Sequence, residues 1–216
     1  MARIAIIGSG NVGRALATSF TRAGHAVTIA SRSPEHAAAA ADAAGATSAG
    51  SIVDAVAAAD IVVLTIPFAG AAEGVASTIR EAVGGKIVVD VTNPARPDYG
   101  GLLFDGTSSA AEQFAAWLPE AHVVKAFNTI LAANQADPVL DGVRLDAYVA
   151  ADDDDARRTI LDLARSAGFA PFDAGPLEAA RLLEGLAWLN ISLNLRQPFG
   201  WRTGWKLVGT PAVIAA

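Results

Sequence analysis

Three glycines near the start of the chain limit what it can fold into more than any other feature. Gly8-Ser9-Gly10-Asn11-Val12-Gly13 is a GxGxxG run, and it follows the apolar stretch Arg3–Ile7 (RIAII). Behind it, Val12, Leu16 and Phe20 recur at a spacing of four through residues 11–23, which suits one face of a helix, and Gly24 supplies a left-handed stop. Residues 26–31 (AVTIAS) then return as a β-branched strand. The order is strand, tight turn, helix, strand. In that setting Gly8 allows the turn, Gly10 lets the backbone approach a pyrophosphate, and Gly13 lets the helix pack closely on the strand. Ser9, Asn11 and Val12 complete the turn, whose free N–H groups at the positive end of the helix dipole suit a dinucleotide's pyrophosphate.

The end of the second strand selects among dinucleotides. A site for NAD places an Asp or Glu there to accept from the ribose 2′-hydroxyl. This chain has Ser31-Arg32-Ser33 and no acid before Glu35. Hydroxyls and a guanidinium bind a 2′-phosphate through charge-assisted hydrogen bonds, whereas a carboxylate would repel it. The expected cofactor is NADP. His36 lies one helical turn further on and reads as an exposed helix histidine.

The alternation continues. Residues 34–44 and a segment opened by Ser51 with Asp54 read as helices; residues 60–66 (DIVVLTI) and 86–91 (KIVVDV) are the clearest buried strands, with a helix over 69–83 between them. A loose stretch, 93–107, reads as a functional loop. Ser109 with Glu112 opens a short helix, and residues 123–127 (VVKAF) form the next strand. Such alternation predicts an α/β fold: a Rossmann-type, doubly wound parallel sheet, with right-handed crossovers. Past about Pro138 the pattern changes. Residues 145–150, a helix after 152–155, and residues 169–173 make one more strand–helix–strand unit; residues 177–195 read as a long helix, apolar on most sides and so expected in a core or at a subunit interface. No regular structure is expected over 199–216. The expected division is an NADP-binding domain over 1–136 and a small C-terminal domain over 137–216.

Composition removes several functions. There is no Cys and there are three scattered His, so thiol catalysis, iron–sulfur clusters and the usual zinc sites have no ligands, and no metal site is expected. A net charge of −6 argues against nucleic acid as a partner. No run approaches the ~20 apolar residues of a membrane span, and the start lacks a signal peptide's apolar region. The expectation is a cytoplasmic protein with no membrane partner.

In an open α/β sheet, ligands bind beyond the carboxyl ends of the strands. Thr65-Ile66-Pro67 and Asn93-Pro94 stand at two such ends and are expected to border the nicotinamide ribose. Asn128, Thr129 and Ile130 follow a third, while Phe127 reads equally well as core. The acids 152–155 precede a helix and read as its cap rather than as a metal site. Asp90 reads as a buried, hydrogen-bonded acid. No nucleophile–base arrangement emerges, and no catalytic residue is assigned.

GSGNVG, SRS, DIVVLTIP, KIVVDVTNP, VVKAFNTI and above all Phe172-Asp173-Ala174-Gly175-Pro176-Leu177 with Arg181-Leu182-Leu183-Glu184 resemble the NADPH-dependent reductases of coenzyme F420, an 8-hydroxy-5-deazaflavin. The likeness runs from Met1 to about Leu195, and simple dinucleotide domains lack the DAGPL–R–L–E stretch. It implies a homodimer, a deazaflavin stacked on the nicotinamide between two domains, and hydride passing directly between carbon atoms without an acid–base residue. By the same resemblance Ser31 and Arg32 hold the 2′-phosphate, and the 128–130 turn borders the deazaflavin. The sequence departs from the pattern at Asn128, where the F420 reductases carry His; Asn is the version of the ferric-reductase branch. The leading expectation is therefore an oxidoreductase moving hydride between NADPH and a small-molecule, flavin-like acceptor, coenzyme F420 first. The alternatives are an FMN or FAD reductase of ferric-reductase type and a non-catalytic NADPH-sensing module.

Overall fold

The structure, a computed structural model, describes residues 1–209. Its first half follows the sequence pattern closely: β1 (Arg3–Ile7), α1 (Asn11–Arg22), β2 (Ala26–Ala30), α2 (Pro34–Ala44), the two-residue edge strand β3 (Thr47–Ser48), α3 (Ile52–Ala58), β4 (Ile61–Leu64) and α4 (Ala72–Ile79). Next come β5 (Ile87–Asp90), α5 (Ala110–Trp117), β6 (His122–Ala126) and a four-residue helix α6 (Ala132–Gln135). The helix starts are locally encoded. Ser33, Ser51 and Ser109 each accept from the backbone N–H three residues on, and Pro34 occupies the first turn of α2.

The strands β3-β2-β1-β4-β5-β6 lie in that order, all parallel, so the order reverses at the β1/β4 boundary. That boundary is where an open sheet leaves a crevice. Both faces are covered. Along β1, Ile4 and Ile6 face a cluster with Leu16, Phe20, Phe127 and Phe169; Ala5 and Ile7 face another with Val62, Leu64 and Phe114. Period-two side-chain alternation in a doubly covered sheet explains why these strands read as continuous apolar runs.

The second half adds a tight hairpin, β7 (Val139–Leu140) with β8 (Val143–Arg144), then β9 (Asp146–Ala151), α7 (Asp154–Ser166), β10 (Ala170–Gly175) and α8 (Ala180–Arg196). The hairpin was not expected. It turns on Asp141 and Gly142, both at positive φ, which is the Asp-Gly pair that favours such turns. β9 runs antiparallel to β6 and β10 parallel to β9, so the extra strand–helix–strand unit extends the one sheet. Asp153 caps α7 by accepting from Ala156 N at 2.7 Å, as expected for acids before a helix.

α8 departs from the all-round apolar reading. Leu183, Ala187 and the polar Glu184, Asn190 and Asn194 are buried, while Leu182, Leu189 and Leu195 are exposed, Leu182 by 76 %. The polar residues face inward because they have partners there. Lys125, wholly buried on β6, stands in register with Asp90 on β5. Its ammonium donates to Asp90 Oδ2 at 2.8 Å, Glu184 Oε1 at 2.7 Å and the Thr92 carbonyl at 2.6 Å. Glu184 also accepts from Ala110 N at 2.9 Å, and Asp90 Oδ1 from Thr92 N at 2.8 Å. One turn earlier, Arg181 grips Glu112 with two bonds of 2.9 and 2.6 Å, holding the Glu112 carboxyl below its usual range. The Arg181–Glu184 motif thus clamps α8 onto β5, β6 and α5.

One lysine cannot neutralise two buried carboxylates. Burial alone would push the Lys125 ammonium down, but Asp90 and Glu184 together lift it above its usual value. Burial pushes Glu184 up, Lys125 pulls it back and Asp90 repels it, leaving it at about 7. Lys125→Met strips both carboxylates of their cation and is expected to cost about 3–5 kcal/mol of unfolding free energy in urea. Unchanged stability would show the triad to be dispensable. Between the ordinary value of 4.5 and about 7 the folded chain keeps a proton on Glu184 that the unfolded chain releases. Stability should therefore fall as pH rises through that window. A pH series of melting temperatures checks this: Glu184→Gln should flatten the fall, and an equal slope in both proteins would refute it.

Candidate active site

The glycine turn has the geometry its spacing requires. Gly8 sits at φ +125°, and a Cβ there would lie 2.6 Å from both the carbonyl oxygen and Oγ1 of Thr65. A Cβ on Gly13 would collide with the Gly8 carbonyl and come within 2.6 Å of Thr65 Oγ1. A Cβ on Gly10 would meet nothing within 4 Å. Two glycines therefore allow chain to pack on chain, and the third leaves open space at the start of α1. Thr65, just past β4, donates its hydroxyl to the Ile7 and Gly8 carbonyls at 3.1 and 3.2 Å, locking the turn to the neighbouring strand end.

A cavity opens along this turn between Ser9, Gly10, Ser31, Arg32, Ser33 and His36 on one side and Thr65–Pro67 on the other. Ser9 Oγ donates to Ser31 Oγ at 3.2 Å, and Ser31 Oγ to the Ser33 carbonyl at 2.7 Å. Ser33 caps α2, so the positive end of that helix dipole points at the same corner. Arg32 is exposed and forms no ion pair among the described residues. A free guanidinium, a hydroxyl and a helix N-terminus converge where a 2′-phosphate would sit. Open space at Gly10 and this unpaired cation are what NADP requires, so the residues fit the cofactor.

A second cavity continues from Gly10 and Thr65–Pro67, past Asn11, Val12, Asn93, Asn128 and Ile130. Asn93 and Asn128 bond each other in both directions: Asn93 Nδ2 to the Asn128 carbonyl at 3.0 Å, and Asn128 Nδ2 to Asn93 Oδ1 at 2.9 Å. Asn128 Nδ2 also donates to the Leu183 carbonyl on α8 at 3.0 Å. The ends of β5 and β6 and the flank of α8 are thereby tied into one wall. Arg32, His36 and Tyr99 are the titratable residues among those lining the two cavities.

Most of the residues read from the sequence meet at these cavities. Gly13, Pro94 and Thr129 stand back from the lining, Gly13 as the helix–turn contact and the other two buried behind it. Phe127 belongs to the core, with its ring edge-on to Phe20 and Phe169 at 5.7 and 5.4 Å. Asp90 is buried and paired, as expected, but with Lys125 rather than toward the cleft. Tyr99, Ile191 and Trp201 line the second cavity and were not singled out for it. Each arrives from a remote segment, and only the positive-φ backbone of Tyr99 and Trp201, invisible in sequence, marks two of them.

The profile for NADP oxidoreductase, coenzyme F420-dependent, matches residues 3–94. The F420-dependent NADP reductase of Methanothermobacter thermautotrophicus is 37 % identical, with 90 % of each chain covered. This chain belongs to the F420-dependent NADP oxidoreductase family. A crystal structure from Arthrobacter sp. FB24, assigned as an F420-dependent NADP reductase, superposes with a TM-score of 0.81 at 30 % identity, covering 89 % of this chain and 93 % of that one. The rat metalloreductase STEAP3 is 32 % identical over 85 % of this chain but only 36 % of its own length. Most of this chain thus corresponds to about a third of the metalloreductase. Among the described residues no helix is long and apolar enough to cross a membrane.

The glycines separate folding from binding. Gly13→Ala should lower the melting temperature, because the added methyl has no space. Gly10→Ala should leave the melt unchanged within about 0.5 kcal/mol, as expected away from packed features, yet weaken NADP in a binding titration. A Gly10→Ala protein that binds as well as the parent would place the pyrophosphate elsewhere.

Proposed function

We propose that the chain is an oxidoreductase that moves hydride between NADPH and a flavin-like acceptor, most directly coenzyme F420. The observation that carries this reading is the continuity of the two cavities. The acceptor cleft opens off the Gly10 end of the dinucleotide cradle, and its lining holds no carboxylate among the described residues. Nicotinamide supplies the chemistry when bound, giving or taking a hydride with its electron pair; the accompanying proton exchanges with water. The protein's own contribution is placement. The 8–13 turn and Ser31–Ser33 fix the nucleotide's phosphates, Thr65–Pro67 bounds the nicotinamide end, and the Asn93–Asn128 wall sets the floor against which the acceptor comes to rest. In this reading residues 1–136 form the NADP-binding domain and residues 137–216 the small domain, whose residues 210–216 lie outside the described structure; its described part closes the acceptor side. A cytoplasmic homodimer goes with it, and Leu182 and Leu189, exposed and seven residues apart on one face of α8, support a second copy there.

A second reading, reduction of FMN or FAD, is favoured by Asn128 standing where the F420 reductases carry His and by the likeness to the metalloreductase. The two are separated by following anaerobic NADPH oxidation with F420, FMN and FAD offered in turn and NADH as the control donor. Turnover with F420 supports the first reading, turnover with FMN or FAD alone the second, and silence with all three supports an NADPH sensor. The cofactor preference has its own check. Arg32→Ala should weaken NADPH ten- to a hundredfold, about 1.5–3 kcal/mol for charge-assisted bonds, and leave NADH nearly unchanged. Equal losses for both would show that Arg32 does not read the phosphate.

A further inference from the structure

Beyond α8 the described residues, to 209, turn back along the molecule without helix or strand, yet they are firmly tied. Asn194 Oδ1 accepts from Trp201 N at 3.0 Å, and Asn194 Nδ2 donates to Thr203 Oγ1 at 2.6 Å. Thr203 Oγ1 donates in turn to Asn190 Oδ1 at 2.5 Å, and the Thr203 carbonyl accepts from Asn134 Nδ2 at 3.0 Å. Further along, Trp205 Nε1 donates to the Leu186 carbonyl at 3.2 Å, and Lys206 Nζ and Leu207 N both donate to the buried Asp146, at 2.6 and 2.5 Å. These bonds explain why α8 buries Asn190 and Asn194. They also fix the backbone at Trp201 and just after it.

What they fix is unusual. Among the described residues, four other than glycine have positive φ: Tyr99, Phe127, Asp141 and Trp201. Asp141 belongs to the hairpin turn. Of the other three, Tyr99 and Trp201 line the acceptor cleft and Phe127 directly precedes Asn128, which does. Bulky residues hold this conformation only where their surroundings over-determine it, and such positions gather at ligand sites. Tyr99 is 60 % and Trp201 45 % exposed, and neither joins the aromatic clusters around Phe127, Phe68 and Phe172 among the described residues. Two large, partly exposed π-faces are therefore held at the cleft without an aromatic partner among the described residues.

We propose that Trp201, with Tyr99 at the same cleft, is the platform on which the acceptor's flat fused ring stacks, so that the tail after α8 is a specificity element for the acceptor. The inference rests on the reading above and names the side chains that would carry its acceptor half. Planar rings gain by stacking on indole whatever their edge substituents, so the platform selects shape, and edge contacts elsewhere in the cleft choose between deazaflavin and flavin. Trp201 does not line the nucleotide's cavity, so its effect is confined to the acceptor.

The test uses the whole chain saturated with NADP+ and titrated with F420 and, separately, FMN by calorimetry, beside steady-state assays with NADPH. Trp201→Ala should weaken acceptor binding about five- to a hundredfold, the range for loss of one ring from a stack, and raise the acceptor's KM in parallel. Its NADPH affinity and melting temperature should match the parent's. Trp201→Phe should recover most of the loss, and the protein emission quenched by bound acceptor should shrink in it. If Trp201→Ala binds the acceptor as the parent does, or loses NADPH to the same extent, the platform is refuted while the hydride-transfer reading stands. If the parent itself binds neither F420 nor FMN, that reading fails and the platform fails with it.

Discussion

A fully buried ammonium shared by two carboxylates is the constraint on which the cleft depends. Lys125 cannot reach water, so its charge must be met inside, and the groups that meet it come from three places: β5, α8 and the turn after β5. Satisfying one side chain thus fixes the relative positions of elements far apart in sequence. The same turn carries Asn93, and the same stretch of α8 offers the Leu183 carbonyl to Asn128. The wall of the second cavity is a direct continuation of the charge cluster beneath it. A hydrophobic joint of equal volume could be just as stable, but it would hold no fixed angles or directions.

The nucleotide half of the molecule was legible because its signals are local. The glycine spacing, the Ser-Arg-Ser end of β2 and the Ser caps each act over a few residues, and each appears in the structure where the sequence put it. The acceptor half was less so. Asp90 in IVVD and Lys125 in HVVKA are single opposite charges inside neighbouring apolar strands, a pattern that suggests pairing, but the third member, Glu184, arrives 59 residues after Lys125. The hairpin at Asp141-Gly142 had a readable signal that went unused. The placement of Trp201 had none, since it depends on Asn190, Asn194 and Thr203 finding one another behind α8.

The inward face of α8 is more polar than its hydropathy suggests, for a physical reason. Hydropathy counts side chains and does not see which of them have polar partners waiting. Leu182 faces outward while Glu184, Asn190 and Asn194 go in, because the buried ammonium and the returning tail supply bonds that water would otherwise provide.

The reversed direction of β9 has a consequence for how such a chain can diversify. Running against β6, it begins at the edge where the parallel strands end, and its first residue, Asp146, is the post to which the tail is moored. Asn93 and Tyr99 reach the cleft from the loop after β5, but Ile191 and Trp201 reach it from chain that follows the last strand of the nucleotide fold. Substitutions there can accumulate, and a new redox partner can be acquired, while the glycine turn and the phosphate corner pass from ancestor to descendant untouched.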